Sequence, residues 1–333
     1  MDLSGKNIIV SRTDSIGDVM LTLPVCSWLK QQFSDCKIIF LGKGYTRPVV
    51  ESFQDVDQFE DWATYESLSK EEKASKLKAF NAEVIIHVFP KKDIASVAKK
   101  AKIPLRIGTS HRAYNLLTCN YRVNFTRKNS DLHESQLNFE LLRPLGLKQV
   151  PTLEEVIEST KAFQPKKIDL PEVFKDLTGY TILHPKSQGS AREWPIEKYM
   201  ELANRIVEIG GKVIFTGTEK EGLLFRDQIP ENENIIDSTG KLTLEQLIVF
   251  IGKADNLVAC STGPLHIAGF SGINTIGLFS PRRPIHPGRW KALGNGVNIL
   301  VNDESCESCS KGDDCDCISD ISVDNVFELL KRS

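Results

Sequence analysis

The feature that most constrains the fold of this chain is a series of short apolar runs, each followed by a turn and a segment of helix length. Such runs are typical of buried strands, and their alternation with helices predicts parallel sheets covered by helices on both faces. We predict strands at residues 7–10, 37–41, 84–88, 105–108, 181–184, 213–215, 235–237, 257–259 and 275–279.

Two domains are expected, because 333 residues are too many for one ordinary core. Periodicity predicts the larger helices at residues 19–33, 134–145, 196–209 and 323–331. A proline-containing linker at 148–178 separates the two series of strands. We therefore predict domains at 1–165 and 166–322, with a closing helix in 323–333 that packs back on the N-terminal domain. Ligands of open α/β sheets bind at the carboxyl ends of the strands.

The strand at 257–259 leads into Ser261, Thr262, Gly263, Pro264 and, one turn later, His266. Thr262 is a suitable N-cap, and proline suits the first turn of a helix. The free N–H groups of such a turn, together with the helix dipole, attract an anion, and phosphate is the usual one. An ordinary β–α turn with a structural histidine is the alternative interpretation.

Asp18 follows the first strand and a turn at Gly17. A carboxylate at this place either caps the following helix or acts as a general base at the ligand site. The sequence leaves both interpretations open.

The segment 184–195 joins a strand to a helix and is rich in hydroxyl, amide and cationic groups, among them Ser187, Gln188, Ser190 and Arg192. Such groups can bind phosphate oxygens, and an arginine can neutralise their charge. The alternative is a solvated loop. The chain has neither a Walker phosphate loop nor the G-x-G-x-x-G dinucleotide fingerprint after its first strand.

Glu219 follows the strand at 213–215. A carboxylate in this position can hold ribose hydroxyls, although a helix-capping acid explains it equally well.

Charge is distributed unevenly, since residues 84–130 contain ten Lys and Arg and one acid, Asp93. Solvated helix faces are one explanation, and a phosphorylated glycolipid or the anionic membrane leaflet that carries it is another. Nucleic acid is disfavoured because no aromatic-rich recognition motif accompanies the charge. No apolar run is long enough for a transmembrane helix, and the N-terminus has no signal-peptide pattern, so we expect a cytoplasmic protein.

Four of the eight cysteines are clustered as Cys306, Cys309, Cys315 and Cys317. Four thiolates can bind zinc in a closed structural site. Disulfide pairing under oxidising conditions, or free thiols, are the alternatives, and in each case we expect a structural role.

Together these segments resemble the heptosyltransferases of lipopolysaccharide core assembly, which form glycosyltransferase family nine. The matching pieces occur in the expected order over nearly the whole chain: 12–19, 184–195, 217–219, 262–268, and the cysteine-rich stretch with Ile318 and the last helix. The resemblance implies the GT-B fold, in which two Rossmann-like doubly wound domains face each other across a cleft. It also implies an N-terminal acceptor-binding domain and a C-terminal nucleotide-sugar domain.

The resemblance implies a role for each matching residue. Asp18 would be the general base, Arg192 would hold the donor diphosphate at a position where the family often has lysine, and Glu219 would bind the ribose. Ser261 departs from the aspartate that the family commonly has there. The implied donor-binding residues are Ser187, Gln188, Ser190, Arg192, Glu219, Ser261, Thr262, Gly263, Pro264 and His266. For the acceptor, we predict binding by Arg12, Lys91, Lys92 and Arg112.

The sequence therefore predicts an inverting glycosyltransferase that needs no catalytic metal. It would move a heptose or related sugar from a nucleotide diphosphate, ADP-heptose, to an acceptor of the lipopolysaccharide core or lipid A type. We expect it at the cytoplasmic face of the inner membrane as a peripheral protein that does not bind nucleic acid. The competing predictions are a Rossmann-type nucleotide-sugar epimerase or oxidoreductase, and an inactive homologue that binds sugar nucleotides.

Overall fold

A computed structural model describes residues 2–127, 130–189 and 191–330. The chain forms two compact units, Met1–Pro165 and Lys166–Ser333, and each contains one six-stranded parallel sheet. The strands of the first unit are β1 (Asn7–Ser11), β2 (Lys37–Gly42), β3 (Gln58–Asp61), β4 (Ala82–His87), β5 (Leu105–Thr109) and β6 (Tyr121–Val123). Those of the second are β7 (Tyr180–His184), β8 (Lys212–Phe215), β9 (Ile235–Asp237), β10 (Asn256–Cys260), β11 (Asn274–Leu278) and β12 (Val297–Leu300).

Helices connect these strands in both units. The first unit contains α1 (Ile16–Met20), α2 (Leu23–Gln32), α3 (Arg47–Glu51), α4 (Lys70–Ala79), α5 (Lys92–Lys100), α6 (Asn115–Thr118), α7 (Glu134–Phe139) and α8 (Leu153–Glu158). The second contains α9 (Glu172–Lys175), α10 (Ile196–Glu208), α11 (Glu219–Gly222), α12 (Leu244–Gly252), α13 (Gly263–Ser271), α14 (Pro287–Trp290), α15 (Glu307–Lys311) and α16 (Val323–Glu328). None of the helices in the described part of the chain is long and apolar enough to cross a membrane.

The two sheets share one topology. Their strand orders are β3-β2-β1-β4-β5-β6 and β12-β11-β10-β7-β8-β9. Both are the doubly wound order of dinucleotide-binding domains, which confirms the predicted α/β class. In this order the connections diverge between β1 and β4, and between β7 and β10. Ligands of such sheets bind at these points, beyond the carboxyl ends of the strands.

Burial on both faces of the central strands explains why the sequence shows continuous apolar runs there. Ile8, Ile9 and Val10 of β1 are all fully buried, although successive side chains of a strand point to opposite faces. Helices α4 and α5 cover one of these faces, with Leu77 and Val97 packed against the sheet.

The second unit has a core of the same kind. Trp194 and Tyr199 are buried against the sheet and against residues near the end of the chain, including Ile321 and Val326. Indole Nε1 of Trp194 donates a hydrogen bond to the carbonyl oxygen of Ile321 at 3.0 Å. Helix α16 therefore has its apolar side packed within the second unit. Its predicted packing on the N-terminal domain remains a prediction.

The prediction of one continuous helix at 19–33 is wrong. The chain forms two helices there, α1 and α2, with a break at Leu21 and Thr22. Pro24 explains the break, since its ring excludes a helical bond to the carbonyl of Met20. The helix predicted at 134–145 is α-helical only to Phe139 and continues as a 3₁₀ helix, Glu140–Leu145.

Candidate functional site

Asp18 lies in the first turn of α1, beyond the carboxyl end of β1. It does not cap the helix, because Ser15 occupies the N-cap position. Instead, its carboxylate accepts hydrogen bonds from Arg12 Nη2 and from Ser15 Oγ. These two bonds fix both oxygens, one each, and the side chain is still 19% exposed, so the carboxylate keeps acceptor positions open to solvent. A base that must meet an incoming hydroxyl needs both properties.

The Arg12 guanidinium lies beneath Asp18 and is almost completely buried. Its Nε donates to Asp14 Oδ1 at 2.8 Å, and its Nη1 lies 3.4 Å from Glu134 Oε1 and 3.3 Å from Asn138 Oδ1. With its nitrogens occupied in this way, Arg12 is better placed to orient Asp18 than to touch an acceptor as the sequence predicted.

Glu134 and Asn138 complete this cluster, and sequence analysis missed both. They are one helical turn apart on α7 and therefore face the same side. Arg127 contacts both of them, with Nε 3.0 Å from Glu134 Oε1 and Nη2 3.1 Å from Asn138 Oδ1. Two arginines thus face three carboxyl groups, those of Asp14, Asp18 and Glu134, and offset two of their charges.

The cluster perturbs the pKa values of its members. Burial lowers the pKa of Arg12, but the carboxylates of Asp14, Asp18 and Glu134 outweigh it and hold the pKa above the ordinary value. Burial raises the pKa of Asp14 to about 6, since Arg12 only partly offsets the cost of desolvating a carboxylate that also faces Asp18. Arg12 therefore stays charged, and Asp14 is a second candidate for a proton acceptor near neutral pH.

The other predicted acceptor residues follow neighbouring strands of the same sheet. Lys91 and Lys92 begin α5 after β4, and Arg112 lies in the exposed segment after β5. Because β1, β4 and β5 are adjacent, these cations and Asp18 lie along the same edge of the sheet.

In the second unit, β10 leads through Ser261 and Thr262 into α13, which has nine residues. Thr262 is the N-cap residue by position, but its hydroxyl makes no capping hydrogen bond. Thr262 Oγ1 is buried and has no hydrogen-bond partner among the described residues. Pro264 lacks an N–H group, so the free donors of the first turn belong to Gly263 and Leu265. His266 is buried one turn into the helix. A buried hydroxyl and two free amides at a helix N-terminus form a ready site for an anion.

The loop after β7 is organised by Glu193, which the sequence analysis did not single out. Its carboxylate accepts hydrogen bonds from the Ser187 N–H at 2.8 Å, from Ser187 Oγ at 3.0 Å and from Lys186 Nζ at 2.8 Å. Ser187 is buried and holds the loop together, whereas Gln188 is exposed with a left-handed backbone. Ser190 lies outside the described residues.

Arg192 projects from the same loop and lines a shallow, open depression beyond β10 and β11, which Ser261, Ser280 and Ile318 also line. Its guanidinium contacts the cysteine-rich segment. Nη1 donates to the carbonyl oxygen of Cys315 at 3.0 Å, and Nη2 donates to Asp314 Oδ1 at 3.1 Å. Ser280 is a further hydroxyl that the sequence analysis missed.

Glu219 begins α11 beyond the carboxyl end of β8. It is not the residue that caps this helix, because Glu221 forms the capping box with Thr218. The carboxylate of Glu219 instead makes a two-pronged pair with Arg226, at 2.9 and 2.8 Å. A carboxylate has about four acceptor positions, so this half-exposed group can still accept bonds from ribose hydroxyls.

Comparison with known proteins relates this chain to one family. A family model described as glycosyltransferase family 9 (heptosyltransferase) matches residues 72–317. The lipopolysaccharide core heptosyltransferase OpsX of Haemophilus influenzae is 25% identical, over 88% of this chain and 84% of the relative.

Two solved structures are similar in fold. A glycosyl transferase family 9 protein from Veillonella parvula superposes with a TM-score of 0.80 at 21% identity, covering 99% of this chain and 97% of its own. The Escherichia coli ADP-heptose lipopolysaccharide heptosyltransferase II superposes with a TM-score of 0.71 at 17% identity, covering 97% of each chain. The predicted GT-B fold is thereby confirmed.

Proposed function

This chain belongs to glycosyltransferase family 9, the heptosyltransferases, and from that premise we propose that it transfers a heptose from ADP-heptose to an acceptor of the lipopolysaccharide core or lipid A type. Membership makes it a glycosyltransferase and not the epimerase or oxidoreductase that the sequence left open. The observation that supports a diphosphate donor is the N-terminus of α13 with the buried Thr262 hydroxyl, which has no partner among the described residues. The preceding residue, Ser261, lines one depression together with Arg192. A heptosyltransferase similar in fold is named for its ADP-heptose donor.

The donor diphosphate would bind at the start of α13. Thr262 Oγ1 and the amides of Gly263 and Leu265 would donate to its oxygens, and the helix dipole would favour its charge. Arg192 would supply the counter-charge as the sugar–phosphate bond breaks. Ribose hydroxyls would reach Glu219, because β8 and β10 flank β7 in the sheet.

Asp18 would act on the acceptor. Its carboxylate takes the proton of the acceptor hydroxyl while the oxygen attacks the anomeric carbon, and ADP leaves with the bonding electron pair. A single displacement of this kind inverts the anomeric configuration. Ser15 and Arg12 hold the carboxylate in place. The conformational entropy of this side chain is therefore lost on folding and not in the reaction step.

In this scheme the charge on the leaving ADP is stabilised without a metal ion, because the N-terminus of α13 and Arg192 interact with the diphosphate. The chain has two Asp-x-Asp pairs. Asp314 and Asp316 lie in the cysteine-rich segment, where Asp314 pairs with Arg192. The pair at Asp55 and Asp57 precedes β3, at the opposite end from the ligand edge. Its carboxylates are engaged, with Ser27 Oγ donating to Asp55 at 2.6 Å and Lys30 Nζ lying 2.7 Å from Asp57.

We expect Thr262→Val to weaken ADP binding about 10- to 100-fold, since a hydrogen bond to a charged acceptor contributes about 1.5–3 kcal/mol. Valine has the same shape and removes a buried hydroxyl that has no partner among the described residues, so the free energy of unfolding should not fall. Calorimetric titration with ADP and with adenosine measures the effect, and adenosine should bind as before.

Ser271→Ala is the matched control. It removes another buried hydroxyl without a partner in the described chain, from the opposite end of the same helix. ADP binding should be unchanged in this variant. Equal losses of ADP and adenosine affinity in Thr262→Val would show that the residue shapes the pocket and does not touch phosphate.

The acceptor would be reached at the cytoplasmic face of the inner membrane, where we propose that the first unit docks. Leu116 and Leu117 on α6 are 62% and 74% exposed, and Tyr121 nearby is 47% exposed. Arg112 and Arg122 are exposed on the same stretch of chain. Apolar side chains flanked by cations suit an anionic lipid surface.

Changing both leucines, Leu116→Ser with Leu117→Ser, should lower binding to phosphatidylglycerol vesicles about tenfold, because two exposed apolar side chains no longer enter the lipid. Co-sedimentation at low and high salt measures it. Leu223→Ser with Leu224→Ser is the matched control, since these adjacent leucines of the second unit are 69% and 65% exposed. Equal binding of both double variants to the vesicles would refute docking through α6.

A further inference from the structure

The four clustered cysteines form a compact group of sulfur atoms. Cys306, Cys309, Cys315 and Cys317 have their sulfurs within 4.8 Å of one another, and no other such group of ligands occurs in residues 2–127, 130–189 and 191–330. A tetrahedral zinc–thiolate site with bonds of about 2.3 Å separates its sulfurs by about 3.8 Å. Small side-chain adjustments would therefore bring all four onto one ion.

The backbone builds this arrangement from a short helix and a reversal of the chain. Cys306 is the N-cap of α15 and Cys309 lies in its first turn, so both sulfurs lie on one side. Gly312 has a left-handed backbone with φ of 83°, which ends the helix and turns the chain back. Ile318, directly after Cys317, is buried in the core of the second unit and anchors the segment there.

The sulfurs are connected through Arg192 to the open depression beyond β10 and β11. Arg192 Nη1 lies 3.3 Å from Cys315 Sγ, in addition to its bond to the carbonyl oxygen of the same residue. Arg192 and Ile318 both line that depression. The position of the guanidinium therefore depends on where Cys315 is held.

We propose that Cys306, Cys309, Cys315 and Cys317 bind one zinc ion as a tetrathiolate site. The second part of the proposal, which rests on the proposed function, is that this site positions Arg192 for the donor diphosphate. Binding of the ion to four thiols releases four protons. The resulting complex carries a net charge of −2, so its thiolates attract the guanidinium. The metal site holds Arg192 in place, and the metal itself takes no part in sugar transfer.

The metal content of the full-length protein tests the first part. After purification under reducing conditions, elemental analysis should find about one zinc per chain. Cys309→Ser should lose the metal, and the control Cys36→Ser, which removes a buried thiol of the first unit, should keep it. Since Cys309→Ser could fail to fold, the unmodified chain should also be stripped with chelator and titrated with Co²⁺. An absorption spectrum typical of tetrahedral cobalt–thiolate at one equivalent supports the site.

Three outcomes would overturn the site. They are substoichiometric metal with no cobalt–thiolate spectrum, isolation of the four residues as disulfides from reduced cells, and full metal content in Cys309→Ser. Iron in place of zinc would overturn the identity of the ion, since a tetrahedral sulfur site also accepts iron.

ADP titration tests the second part. Removal of the metal should weaken ADP binding about tenfold and leave adenosine binding unchanged, and added Zn²⁺ should restore it. Arg192→Ala should weaken ADP binding to the same degree while keeping the metal, and stripping this variant should cause no further loss. An ADP affinity that is unaffected by metal removal would overturn the positioning role. Failure of every form to bind ADP would instead refute the proposed function, while the metal content would still report on the site.

Discussion

Asp18→Asn should reduce turnover by about 100-fold or more while leaving ADP binding unchanged, which is the usual scale for loss of a general base. Arg12 and Ser15 donate to different oxygens of Asp18. Asparagine can keep its one oxygen towards Arg12 and turn its NH₂ group towards Ser15, whose hydroxyl then accepts, so the local geometry should survive. The buried Arg12 also retains Asp14 and Glu134 as partners. Steady-state kinetics with saturating donor and acceptor measure the effect, and an unfolding curve shows that the variant is folded.

Asp14→Asn is the natural comparison, because it removes another carboxylate from the same arginine. Burial raises the pKa of Asp14 to about 6, a value that would also suit a base. Asp14 is bonded through Oδ1 to Arg12 Nε and lies outside α1, so we assign it to holding Arg12. Near-normal turnover in Asp18→Asn together with a large loss in Asp14→Asn would transfer the role of base to Asp14.

Arg12→Met should lower the free energy of unfolding of the first unit by about 3–5 kcal/mol, the usual cost of removing one partner of a buried ion pair. Methionine fills the space but leaves Asp14 and Asp18 without their cation, and only Arg127 remains for Glu134. Denaturant unfolding followed in the full chain measures the loss.

Arg143→Met is the control for this change. Arg143 pairs with Glu140 in the same unit, but its side chain is 39% exposed, so the loss should be below about 1 kcal/mol. Similar losses in the two variants would mean that the Arg12 cluster contributes no more than a surface pair.

The central strands could be predicted from sequence because burial on both faces leaves a continuous apolar run. Three of the four edge strands, β3, β6 and β12, were missed because they lack this burial on both faces, whereas the fourth, β9, was predicted. The Tyr121–Val123 strand has two exposed residues, and none of the residues of Val297–Leu300 is fully buried. Strands that lie at the edge and are wetted on one side give no clear apolar run.

The loops of the candidate site could also be predicted, since the ends of buried strands identify the ligand edge of a parallel sheet. The partners that orient the site could not. Glu134 contacts Arg12 across 122 positions of sequence, and Arg192 contacts Cys315 across 123. Only the folded chain brings these residues together, and no local spacing indicates either pair.

Transfer of heptose itself tests the account most directly. Purified protein is mixed with ADP-heptose and a heptose-free acceptor of the lipid A core type, with Asp18→Asn as the blank. Mass spectrometry should show an acceptor that has gained one heptose with equimolar release of ADP, and nuclear magnetic resonance should show the inverted anomeric linkage. The account would be contradicted if the acceptor stayed unmodified with ADP-heptose but gained a sugar when the donor carried a different nucleotide.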